Sequence, residues 1–165
     1  MKFKIITILC ASLIGCVGTN PGNIPAVVYK DGYHYGILNK SLIQNHNDYT
    51  WFSKHYNNYN PDLNGFDSLN FEKTSIKIFM GTWCHDSKRE VPQFYKILDK
   101  LNFNYKNFEI IGLTKDKKGY FKDYTNFNIT NTPTFILYRG DIEIGRIIEK
   151  PEGSLESHLL KIIKS

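Results

Sequence analysis

A chain of 165 residues is long enough for one domain with a short extension. With 41% apolar and 15% aromatic residues it can fill a core, which excludes a disordered segment. Its formal charge of +5 is mild and dispersed, and the densest basic cluster (Lys115, Lys117, Lys118) has Asp116 inside it, so nucleic acid is not an expected partner.

The first stretch, "MKFKIITILCASLIGCVGTN", reads as a targeting segment. Lys2 and Lys4 give a positive start, and the apolar run 5–14 is too short to span a bilayer as a helix. It ends at Leu13-Ile14-Gly15-Cys16, which resembles a bacterial lipobox. That resemblance implies a signal peptide over 1–15, cleavage after Gly15 and acylation of Cys16, with two or more acyl chains giving stable anchoring. The expected location is therefore the bacterial envelope, lipid-anchored at the periplasmic face or outer membrane. Residues 16–25, with Gly18, Pro21, Gly22 and Pro25, read as a tether. Cys10 would leave with the signal and Cys16 would carry lipid. One thiol, Cys84, would then remain outside the cytoplasm with no partner in its own chain.

Residues 26–70 form an N-terminal extension. "AVVYKDGYHYGIL" has two apolar runs around Lys30-Asp31-Gly32, a hairpin signal. Residues 41–57 fit a helix with Phe52, Tyr56 and Tyr59 on one face, an aromatic stripe better explained by packing than by a ligand. From residue 71 the pattern sharpens. "SIKIFM" is a strand buried on both faces. Residues 87–100 read as a helix with Val91, Phe94, Tyr95, Leu98 and Leu101 inward. "FEIIGL" is a second buried strand, "YFKDYTNF" a short helix, and "TPTFILYRGDIEIGRIIE" a hairpin turning at Gly140-Asp141. "SLESHLLKIIK" closes the chain as an amphipathic helix capped by Ser154. Strand, helix, strand, then hairpin and helix give an α/β mixed sheet with helices on both faces.

Chemistry concentrates in "GTWCHDSKREVPQF". Cys84 follows a buried strand and opens a helix, whose macrodipole stabilises a thiolate; His85 adds positive charge when protonated, and Asp86 opposes it. The five histidines, His34, His46, His55, His85 and His158, have no metal-ligand spacing. There is no C-x-x-C-H for haem and no glycine-rich phosphate loop, so neither metal nor cofactor is expected.

The segment "TWCHDSKREVP" resembles the active-site segment of thioredoxin-like proteins, where Trp-Cys-X-X-Cys opens a helix. Trp83 and Cys84 match, and Pro92 stands eight residues after Cys84, where those proteins carry a kinking proline. In "NTPTFILYRGDIEIGRI", Thr132-Pro133 fits their cis-proline before a strand, and Gly145 fits a glycine in the next strand. The resemblance covers 71–165. It implies that Cys84 is the nucleophile, that Trp83, His85 and Asp86 are its neighbours, and that Thr132 and Pro133 position an extended substrate.

Two positions depart from the family pattern. The second cysteine is Ser87, and the buried acid six residues before Cys84 is Ile78. A hydroxyl cannot resolve a mixed disulfide, so a dithiol cycle within one chain is excluded. What survives is a monothiol cycle on protein thiols and disulfides of the envelope, with Cys84 attacking and an external thiol resolving. The alternatives are a redox-inactive module that binds a peptide at Thr132-Pro133, and covalent pairing with a partner through Cys84. Ser87 also has a structural reading: Ser87-Lys88-Arg89-Glu90 fits a capping box, which would start the helix three residues later and leave Cys84 in the turn before it.

Overall fold

The computed structural model describes residues 26–67 and 69–165; the expected signal, tether and Cys16 lie outside the described residues. Val27–Lys30 (β1) and Tyr33–Leu38 (β2) pair antiparallel across Asp31 and Gly32. Both turn residues have positive φ, 53° and 82°, as a two-residue hairpin turn demands. Lys40–Asn45 (α1), a 3-10 turn at Asn47–Tyr49 and Thr50–Asn58 (α2) follow. The single helix expected over 41–57 is thus broken. The break falls at His46, which is extended and accepts from the Asp48 N–H through its ring. Tyr59 lies at the end of α2 rather than on its face.

The rest of the chain forms Thr74–Met80 (β3), His85–Lys100 (α3), Phe108–Gly112 (β4), Thr134–Arg139 (β5), Ile142–Ile148 (β6) and Leu155–Lys164 (α4). One six-stranded sheet results, in the order β1-β2-β4-β3-β5-β6. β3 and β4 run parallel through the α3 crossover, and all other pairs are antiparallel. The N-terminal hairpin is therefore part of the sheet, with Leu38 opposite Ile110.

Alternation along the central strands feeds two cores. Ile76, Ile78 and Met80 of β3, Ile110 of β4, and Phe135 and Leu137 of β5 face the main core with Phe52, Phe94, Tyr95, Leu98 and Leu159. Phe79, Ile111, Leu113 and Ile136 face the other way, covered by Tyr124, Phe127 and Ile129. On that second face the helix expected over 120–127 contracts to a 3-10 turn, Thr125–Phe127. Asp123 accepts from the Thr125 N–H at 2.9 Å, and Asn128 ends the turn at φ 52°. Tyr124 and Phe127 then pack on Phe79 with ring centres 5.4 and 4.9 Å away. α4 starts as expected: Ser154 accepts from the Ser157 N–H, and Ser157 completes a reciprocal capping box.

Asp99, near the end of α3, gathers three donors: Lys40, the Tyr56 hydroxyl at 2.6 Å and the Tyr105 hydroxyl at 2.8 Å. Burial alone would raise its carboxyl, but these bonds outweigh burial and hold it below the usual carboxylate range. A depressed folded-state pKa stabilises the fold above the unfolded carboxylate pKa, about 3.9, and is lost as the pH falls through the folded value. Asp99→Asn is expected to cost about 1.5–3 kcal/mol in urea unfolding at neutral pH, the range for hydrogen bonds to a charged group. The penalty should shrink in acid; an equal loss at pH 7 and pH 2.5 would refute the charge argument.

Candidate functional site

β3 ends at Met80, and the chain turns through Gly81, Thr82 and Trp83 before α3. The turn closes by a hydrogen bond from the Cys84 N–H to the Gly81 carbonyl, 2.9 Å. Cys84 is the N-cap residue of α3, extended at φ −78° and ψ 129°, and its carbonyl accepts the first helical bond from Lys88 at 3.1 Å. The helix therefore begins at His85 and not at Lys88. Ser87 is not its cap: it is fully buried in the first turn, and its hydroxyl accepts from the Gly81 N–H at 3.3 Å. Glu90, the other half of the expected box, is held by Arg89 at 2.8 Å. With Cys84 at the cap, the positive end of the α3 dipole lies at the thiol.

The sulfur is half-buried, and the thiol donates to the Thr132 carbonyl at 3.1 Å. That bond brings Cys84 to Thr132 across 48 residues of chain, and Thr132-Pro133 is a cis peptide at the entry to β5. The loop behind them is braced. Glu149 donates from its N–H to the Pro133 carbonyl at 2.7 Å, Asn131 bonds the Glu149 carboxylate at 2.7 Å, and the Thr134 hydroxyl donates to the Asn131 carbonyl at 2.7 Å.

Trp83 is fixed from the other side, its indole N–H donating to the Leu113 carbonyl at 2.9 Å. The ring lies over Gly81, where any Cβ would meet its atoms at 2.4–2.7 Å, so the turn needs glycine there. His85 points outward with its side chain 87% exposed. Asp86, the anion expected to oppose a thiolate, is paired with Arg89 at 2.7 Å. Ile78, in place of a buried acid, is wholly inside the main core.

Three further residues support the turn from beneath. Thr82, fully buried, accepts through its hydroxyl from the His34 N–H of β2 at 3.0 Å and reaches back to the His34 carbonyl at 3.4 Å. The Tyr49 hydroxyl lies 3.0 Å from the same N–H and 2.9 Å from the His34 ring nitrogen Nδ1. The N-terminal hairpin is thus bonded to the residue two before Cys84. No local spacing in the sequence marks this trio; only the polar Thr82 between a buried strand and Trp83 hints at a partner.

Burial, and then the nearby His46, push the His34 imidazole below its ordinary pKa of 6.5. Burial, with Lys54, Arg89 and His85 nearby, does the same to His55. For a depressed pKa the stabilisation is complete above 6.5 and is lost as the pH falls through the folded values. Melting temperature is therefore expected to drop on acidification from pH 6.5, less steeply in His55→Gln; a flat profile over that range would contradict both shifts.

Among the described residues no three His, Cys, Asp or Glu side chains converge as a metal site requires. No family model matches the chain, and no curated protein does. Solved structures similar to it include mitochondrial thioredoxin 3 from Saccharomyces cerevisiae, 23% identical, covering 56% of this chain and 77% of that one, with a TM-score of 0.38. Fasciola hepatica thioredoxin is 16% identical, covering 56% and 79%, with a TM-score of 0.40. Arabidopsis thaliana thioredoxin O2 is 18% identical, covering 69% and 81%, with a TM-score of 0.38. The chain's own topology carries the conclusion about fold: a parallel β3-α3-β4 crossover, an antiparallel β5-β6 pair entered through a cis-proline, and a closing helix make a thioredoxin-like mixed sheet.

Proposed function

We propose that the protein performs monothiol exchange in the bacterial envelope, anchored by lipid at Cys16, with Cys84 as its nucleophile. The observation that carries this reading is the placement of the Cys84 sulfur: half-buried, at a helix N-terminus, and 3.1 Å from the Thr132 carbonyl. The Cys84 thiolate attacks one sulfur of a protein disulfide, forming a mixed disulfide and expelling the other sulfur as a thiolate. A thiolate from a second molecule then attacks the mixed disulfide and returns Cys84 to its reduced form. No net electrons stay on the protein. Loss of the Cys84 proton frees the Thr132 carbonyl, which can then accept an N–H from the substrate backbone. Ser87 takes no part in resolution, because its hydroxyl does not ionise to an attacking anion and is held by the Gly81 N–H.

The second reading, a module that binds without redox chemistry, is favoured by Ser87 and Ile78, which fill the places of a resolving thiol and a buried acid. Covalent pairing through Cys84 is the same first step without resolution. Alkylation of Cys84 followed against pH, with a mixed-disulfide trap, separates them. A fast rate and a trapped adduct released by added thiol support exchange. A trapped adduct that resists thiol supports covalent pairing. A slow rate with no adduct supports the binding module. Cys84→Ala is expected to abolish exchange completely; exchange that persists in this variant would end the assignment.

A further inference from the structure

The sheet face away from the four α-helices is covered over β2 and β4 by the chain between Thr114 and Tyr124. Tyr120 stacks on Tyr35 with ring centres 5.5 Å apart and planes at 11°, and Phe121 meets Tyr120 edge-on at 4.9 Å. Ile37, Tyr120, Phe121 and Tyr124 wall a recess of about 280 Å³. Tyr120 and Ile37 remain 41% and 39% exposed, far more than the core side chains of the same sheet. Ala26, the first described residue, lines this recess too.

The loop over this face carries more positive than negative charge, four lysines against two aspartates over residues 114–124. Lys115, Lys117, Lys118 and Lys122 are all exposed. The two acids among them are engaged within the same loop: Asp116 with the Thr114 hydroxyl at 2.6 Å and Lys118 at 3.4 Å, and Asp123 with the Thr125 N–H at 2.9 Å. Glu109, at the recess wall, is paired with Lys77. The Lys115 ammonium lies 5.2 Å from the Tyr33 ring centre and that of Lys122 5.6 Å from Tyr124. Both ammonium groups thus sit over aromatic rings.

We propose that this face is a membrane-contact surface, and that its partner is a bilayer carrying anionic phospholipid. Tyrosines with apolar bodies and wet hydroxyls favour the bilayer interface, and lysines are drawn to anionic headgroups. The proposal rests on lipidation of Cys16. Residues 17–25 can span at most about 30 Å when fully extended, and Ala26, to which they are joined, lines the recess, so an anchored chain keeps this face near lipid. Contacts too weak to bind alone then suffice, because anchoring raises their effective concentration. The loop begins at Leu113, whose carbonyl holds Trp83, so a docked face brings the Cys84 turn close to the bilayer. The substrates favoured would be membrane-bound or membrane-tethered disulfides.

The test uses the full chain with vesicles of phosphatidylcholine alone or mixed with phosphatidylglycerol, read by flotation and by backbone hydrogen exchange. The expected result is slowed exchange over 113–124 that deepens with phosphatidylglycerol. Each of Lys115→Gln, Lys117→Gln and Lys122→Gln should raise the anionic lipid needed about fivefold. Flotation that Cys16→Ser abolishes reports on the anchor separately. A chain that floats with unchanged exchange over 113–124 overturns the contact face and leaves the anchor standing. A chain that neither floats nor gains protection overturns both. Protection without lipid that grows with protein concentration assigns the face to a second copy and overturns the proposal.

Discussion

Replacing Ser87 with cysteine is expected to give the chain an internal disulfide and to let it release substrate without an external resolving thiol, an external reductant then being needed only to regenerate the dithiol. Residues three apart at the start of a helix are neighbours on one face, and disulfides form over Cα separations of roughly 4.4–6.8 Å. Cys84 caps α3, and position 87 lies in its first turn with the side chain directed at the Gly81–Cys84 turn. A thiol there faces the same turn as the Cys84 sulfur. After Cys84 forms a mixed disulfide, this thiol attacks within the chain and expels the substrate thiolate, leaving an 84–87 disulfide and a reduced substrate. Intramolecular delivery should release substrate at least about a hundredfold faster than millimolar external thiol. Oxidation should lower the intact mass by about 2 Da and block Cys84 alkylation. A variant whose two thiols stay free under mild oxidation would show that the turn cannot bring them together.

The second large effect is expected where the hairpin is bonded beneath the site. The His34 N–H has two acceptors, Thr82 and Tyr49, each at 3.0 Å. Thr82→Val or Tyr49→Phe alone leaves that buried donor one partner, and each should cost about 1 kcal/mol. Together they leave it none, adding an unsatisfied buried group worth about 1–3 kcal/mol more. The double variant should therefore lose clearly more stability than the two single losses combined. It should also alkylate faster at Cys84, since Thr82 no longer holds the turn. Additive losses in urea unfolding would mean that the two acceptors act independently and that the network is not a unit.

How far the sequence could be read differs from element to element, for physical reasons. β3 and α3 were legible because their signals are local: an apolar run flanked by turn residues, and Val91, Phe94, Tyr95 and Leu98 at helical spacing, all buried. The meeting of Cys84 with Thr132 rested on a family resemblance rather than on any local pattern. The start of α3 was ambiguous because Ser-x-x-Glu fits a cap equally well; competing side-chain contacts decide it, Gly81 taking Ser87 and Arg89 taking Glu90. Residues 120–127 have aromatics at near-helical intervals, yet Asp123 and Asn128 offer the backbone other partners and the segment stays irregular. The His34-Tyr49-Thr82 trio was invisible because it joins one backbone amide to two distant hydroxyls, a contact with no periodicity.

The place of β2 in the sheet, beside β4 and not beside β3, has a consequence for the order in which the chain acquires structure. A lone hairpin such as β1-β2 is marginal in water, and among the described residues its only other neighbour in the sheet is β4. Made from the N-terminus at about 5–20 residues per second, the hairpin waits several seconds for the strand that completes it. β3 meets a shorter delay of the same kind, since both its neighbours, β4 and β5, come later in the chain. A nascent chain ending before β4 thus holds three strands with no finished sheet. Folding this late leaves the polypeptide threadable through a narrow pore for most of its time on the ribosome.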